Sequence, residues 1–213
     1  MPSPLSIAFA VAGLVLGLAA DRLSTRWPAH DEENLAGRRP GWRTVVVAAT
    51  GAVSFGLLPI RFGEDVLALA VFGGWFALLI VGLATDLDQR LLPDVTTLPV
   101  IPVALVYDLS ARNPLVGSEL APAIAAAIGI PLAMYLPSLL YGAGAFGIGD
   151  VKLLAGAGLM LGALRALAGV FFGLVLAGAV LVALLALRRI GRRSYVPFGP
   201  FLILGAMWAV LLR

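Results

Sequence analysis

Apolar residues run in long blocks along this chain, with short polar stretches between them. The blocks fall at about Pro4–Ala20, Thr44–Ile60, Val66–Thr85, Val95–Leu109, Glu119–Tyr141, Val151–Leu164, Ala166–Leu187 and Pro197–Leu212. They are continuous rather than alternating, which predicts helices and argues against a transmembrane β-barrel. Prolines break the fourth block, and only Arg165 parts the sixth from the seventh. Several blocks are shorter than the roughly 20 residues that cross a bilayer. The pattern predicts an all-α, polytopic membrane protein of about eight transmembrane helices. We expect one membrane domain over 1–213, with no soluble domain and no internal repeat.

Charge orients this pattern. No basic residue precedes the first block and a basic cluster follows it, the reverse of a cleaved signal. A retained first helix with its N-terminus outside is expected. Arg22, Arg26, Arg38, Arg39, Arg43, Arg90, Lys152, Arg188, Arg189, Arg192 and Arg193 then share one side. Arg61, Arg112, Arg165 and Arg213 fall on the other. The richer side is expected to be cytoplasmic, in the plasma or inner membrane. The same assignment puts Asp86 and Asp150 at cytoplasmic helix ends and Asp108 on the outer side. The segment 21–43 reads as a short, solvated cytoplasmic loop with orienting arginines.

Composition agrees. The chain is 61% hydrophobic and 13% charged, against about 25% charged in soluble domains. A pI of about 9.8 here reflects membrane orientation, not nucleic-acid binding. No cysteine is present, which excludes disulfides, cysteine–zinc sites and a cysteine nucleophile. His30 alone among scattered acids predicts no metal site.

Candidate chemistry centres on the glycine-dense stretch 141–161, which holds Asp150 and the sole lysine, Lys152. A carboxylate flanked by apolar sequence is costly in a membrane and marks a candidate functional site. Asp86, closing the third block, is the expected partner. Asp88 lies roughly 200° further round the helix and is set aside. Asp94, after Pro93, reads as a turn or helix-starting residue. Two aspartates brought together at a membrane edge suggest an aspartic protease dyad. Carboxylates that close hold one proton between them, and the pair titrates as a unit. Gly147 and Gly149 could give an extended substrate backbone room, and Lys152 could orient toward substrate or lipid phosphate. Helix packing is the ordinary role for Gly142, Gly144, Gly156, Gly158 and Gly162, as snorkelling is for Lys152. A proton-coupled transporter using the same acids, or a structural component without chemistry, is the alternative.

These residues resemble the type IV prepilin peptidases. ATDLDQRLLPDVTTLP, residues 84–99, is similar to the family's first aspartate motif, and selects Asp86 with Pro93 as the following proline. FGIGDVKLLAGAG, within the segment 142–158, resembles the second motif and selects Asp150. VPFGPFL, 196–202, resembles the closing segment, and GLVLGLAADRLSTRWP, 13–28, more weakly resembles the opening one. The resemblance implies cleavage of a basic leader from prepilins or pseudopilins at the cytoplasmic membrane face. It also implies possible N-methylation of the new N-terminus, with S-adenosylmethionine as cofactor. Longer members carry a larger first cytoplasmic segment, often with paired Cys-X-X-Cys motifs, which this sequence lacks.

Overall fold

Lipid tails are as apolar as leucine, so helices in a membrane gain little from hydrophobic burial against each other. Close backbone packing through small residues has to supply the contact. The computed structural model describes residues 3–30, 37–141, 147–189, 191 and 197–212, leaving aside the side chains of 137–141. Gly142, Gly144, Arg192, Arg193, Val196 and Arg213 lie outside the described residues.

Helix α1 (Pro4–Ser24) starts where the Ser3 hydroxyl accepts the Ser6 N–H at 3.1 Å. It packs antiparallel on α2 (Trp42–Phe62). Gly13 and Gly51 meet backbone to backbone, and a Cβ on Gly17 would stand 2.7 Å from Ala48 Cα. Helix α3 (Val66–Gln89), capped by Asp65, forms the centre. Its Phe72, Phe76, Leu79, Ile80 and Leu83 are fully buried.

The block predicted at 95–109 divides into a single turn, α4 (Asp94–Thr97), and the short α5 (Val100–Leu109). Helix α6 (Leu120–Tyr141) packs on α7 (Ile148–Ala186), where a Cβ on Gly158 would lie 2.5 Å from Ala127 Cα. Helix α8 (Gly199–Leu211) returns antiparallel along α7, with Gly169 against Gly205 and Gly173 against Phe201.

The sixth and seventh blocks join as α7, and the break between them is Gly162, not Arg165. Gly162 has φ 72° and ψ 172° inside an otherwise helical run, a conformation open essentially only to glycine. Arg165 lies beyond the kink and donates to the carbonyls of Ala209 at 3.1 Å and Leu212 at 2.6 Å. Arg61 donates to Val210 O at 3.0 Å. These two arginines take three of the carbonyls at the end of α8, those of Ala209, Val210 and Leu212.

Among the described residues, α1, α2, α3 and α7 are long and apolar enough to cross a membrane. The chain is an all-helical, multi-pass membrane protein.

Candidate active site

Asp86 lies in the last turn of α3. The helix does not stop at Thr85 but runs on to Gln89, where Arg90 adopts a left-handed conformation (φ 56°, ψ 38°) and its N–H donates to Asp86 O at 2.9 Å. The chain reverses there. Leu92 then packs against Gly82 on α3, with Leu92 Cδ2 3.2 Å from where a Gly82 Cβ would be. On its other side Leu92 meets the start of α7, where a Gly149 Cβ would stand 2.9 Å from Leu92 Cβ. One leucine between two glycines thus brings the Asp86 and Asp150 helices together.

Asp150 is in the first turn of α7, and the Gly147 N–H donates to its Oδ2 at 3.3 Å. The third wall is the start of α8. A Cβ built on Gly199 would stand 2.6 Å from Asp86 Oδ2 and 3.3 Å from Asp150 Oδ1. The two oxygens are therefore separated by at most two hydrogen-bond lengths, the reach of one shared water. Asp86 is only 5% exposed, and among the described residues its Oδ2 has no hydrogen-bond partner. Asp150 is half-buried. The arrangement is a pair of carboxylates facing a common space that only a glycine leaves open.

The other candidates are distributed around this pair. Gly147 is exposed, and a Cβ there would meet nothing closer than Asp150 Oδ2 at 3.4 Å. Gly149 faces Leu92. Pro93 caps α4 and accepts the Thr96 hydroxyl at 2.7 Å. Lys152 donates to Asp94 Oδ1 at 2.6 Å, tying α7 to α4. Gly156 packs on Val100, Gly158 on Ala127. Asp108 is remote from the dyad, and takes the Asn113 amide at 2.8 Å. Among the described residues, no three His, Asp or Glu side chains converge as a metal ion would require.

Asp88 turns away from Asp86, as the helical spacing requires, and does not stand in solvent. It accepts from Arg38 Nε at 2.8 Å and Arg43 Nη1 at 3.0 Å, and meets His30 Nε2 at 3.4 Å. Burial works against the Arg38 charge, but its bonds to Asp21 and Asp88 outweigh it and hold its proton above the ordinary arginine value. Much of the segment read as a solvated loop is thus fastened to the Asp86 helix.

Gly199 was not singled out by the sequence as a site residue, because its role depends on a contact between distant helices. The closing motif around it was the available signal.

The chain is similar in sequence to known proteins. The profile described as "Type IV leader peptidase family" matches residues 74–187, which include both aspartates. A protein named prepilin leader peptidase/N-methyltransferase from Burkholderia pseudomallei (strain K96243) is 37% identical over 164 residues, 76% of this chain and 52% of that protein. One of the same name from Aeromonas salmonicida is 34% identical over 156 residues, 69% of this chain and 53% of its own length. Another from Dickeya chrysanthemi is 34% identical over 177 residues, covering 80% and 60%. The chain spans about half the length of the first two relatives. No solved structure gives a significant match.

Proposed function

The chain belongs to the type IV leader peptidase family, and on that premise we propose that it is a membrane-embedded aspartic endopeptidase acting on prepilin or pseudopilin leaders. The observation that carries this reading is the meeting of Asp86 and Asp150 at Gly199. With one proton between them, the ionised carboxylate takes a proton from a water held in the shared space. The protonated one donates a hydrogen bond to the scissile carbonyl. The water oxygen bonds to the carbonyl carbon, the C–N bond then breaks, and the departing amine receives the proton. No covalent enzyme intermediate forms.

The arginine-rich end, which carries the dyad, faces the cytoplasm in this reading. That places the cut beside the basic leader and just ahead of the hydrophobic helix that stays in the bilayer. The proton-coupled carrier is not supported, since both acids sit at one end of the bundle and the matched proteins are named as peptidases.

The relatives' names also include N-methyltransferase. S-adenosylmethionine, the cofactor such a step needs, has a charged amino-acid end, a ribose and an adenine that all require hydrogen-bonding partners. The grooves between α1 and α2, between α3 and α5, and between α2, α7 and α8 are lined mostly by apolar side chains, with Ser6, Thr50, Ser54, Tyr107, Ser110 and Arg112 as the polar exceptions. Among the described residues these grooves offer such a cofactor few partners, and N-methylation with S-adenosylmethionine is supported here by the relatives' names alone.

The test is cleavage of a prepilin by the detergent-purified chain, followed as a mobility shift. Wild type is expected to cut, and Asp86→Asn and Asp150→Asn are each expected to leave the substrate intact. Full cleavage by either variant overturns the assignment.

A further inference from the structure

The Asp86 helix ends in a clasp whose members take no part in the chemistry above. Asp88 holds Arg38, Arg43 and His30. Arg38 also donates through Nη2 to Asp21 Oδ1 at 2.6 Å. Asp21, on the last turns of α1, is 1% exposed, and takes the Thr44 hydroxyl at 2.8 Å and Arg22 as well. Beside Asp88, Gln89 donates to Ser24 O at 3.0 Å and Pro28 O at 3.2 Å. The ends of α1 and α3 and the start of α2 are laced together here, with Arg38 bonding both carboxylates.

The location matters because Asp86 sits in the last turn of α3, where helices fray. Its backbone carbonyl takes the N–H of Arg90, the residue at which the helix ends. Leu92, which sets the spacing to Gly149, follows directly after that turn. An end of α3 free to unwind would move Asp86 and Leu92 together, away from Asp150.

We propose that Asp88 and Arg38 are positioning residues: their clasp fixes the last turn of α3 and thereby the placement of Asp86 against Asp150. This rests on the peptidase reading. It also gives the segment around Arg38 a task beyond orienting the chain in the membrane. Lysine at position 38 keeps the charge but offers one ammonium, which cannot reproduce the planar fork that spans Asp21 and Asp88.

The experiment measures kcat and KM for prepilin cleavage by the full chain in detergent, per folded molecule. The variants are Asp88→Asn, Arg38→Lys and their double, with Asp86→Asn as control. Each single variant is expected to lower kcat about 10- to 100-fold with KM unchanged, the cost of a small misplacement at a reacting centre. The double is expected to lose no more than the worse single, since both act through one network. A merely structural role would reduce the folded fraction and leave kcat per folded molecule unmoved, and that result overturns the proposal. Should Asp88→Asn fail to fold, Arg38→Lys decides alone, and a wild-type kcat in it overturns the proposal. Cleavage by Asp86→Asn overturns the peptidase reading instead, which keeps the two failures apart.

Discussion

A methyl group at position 199 would stand where the two carboxylates meet. Gly199→Ala places a carbon 2.6 Å from Asp86 Oδ2, and the movable partner is the carboxylate itself. Cleavage is expected to fall about 100-fold while circular dichroism shows unchanged helix content. Normal cleavage by Gly199→Ala would show that the shared space is not where water attacks. The dyad also fixes the form of the pH profile. Below the lower of the pair's two macroscopic pKa values, neither carboxylate can take the proton of water. Above the higher, neither has a proton for the carbonyl. A plot of kcat/KM against pH is therefore expected to be bell-shaped, and a single sigmoid would speak against two acting acids. Asp86 and Asp150 were legible in the sequence because an acid set in apolar surroundings needs a reason. Gly199 was not, because nothing beside it in the chain records which helix it will touch. The Asp88 clasp was hidden for a similar reason, as its arginines resemble those that orient any membrane protein.

At the scale of elements, the helices were legible from apolar run lengths, but their breaks were not. The apolar block ends at Thr85, yet α3 runs on to Gln89, and on that last turn Asp88 takes Arg38 and Arg43. Arg165 looked like the gap between two spans, whereas the change of direction comes at Gly162, one glycine among several in α7. Its backbone predicts the effect of a substitution. Gly162→Ala forces a side chain into a conformation that costs about 1–3 kcal/mol, so the melting temperature should fall while cleavage at low temperature persists. An unchanged melting temperature would mean that the helix straightens without penalty. Arg165→Met removes the two charged hydrogen bonds to the end of α8. A loss of about 2 kcal/mol is expected, read as a lower midpoint in thermal unfolding with kcat retained.

For the molecule as a whole, the two sets of cations separated by the sequence meet different ends of the bundle. Arg38 and Arg43 gather at the dyad end, while Arg61 and Arg165 hold the end of α8. The lack of cysteine makes orientation measurable, because a single introduced thiol is unique. Arg39→Cys and Arg112→Cys both occupy exposed positions. In intact cells, a membrane-impermeant thiol reagent is expected to label position 112 and to reach position 39 only after lysis. The opposite pattern would place the dyad on the outer face.

The wall that α8 contributes has a consequence in time. A ribosome releases Asp86 first, Asp150 later and Gly199 last, so a nascent chain holds both acids before it holds the surface that encloses them. If the proposed peptidase reading holds, the pair is enclosed only once α8 has taken its place beside α7. A half-made copy, still tethered to its ribosome, holds the two acids but not the wall that α8 supplies.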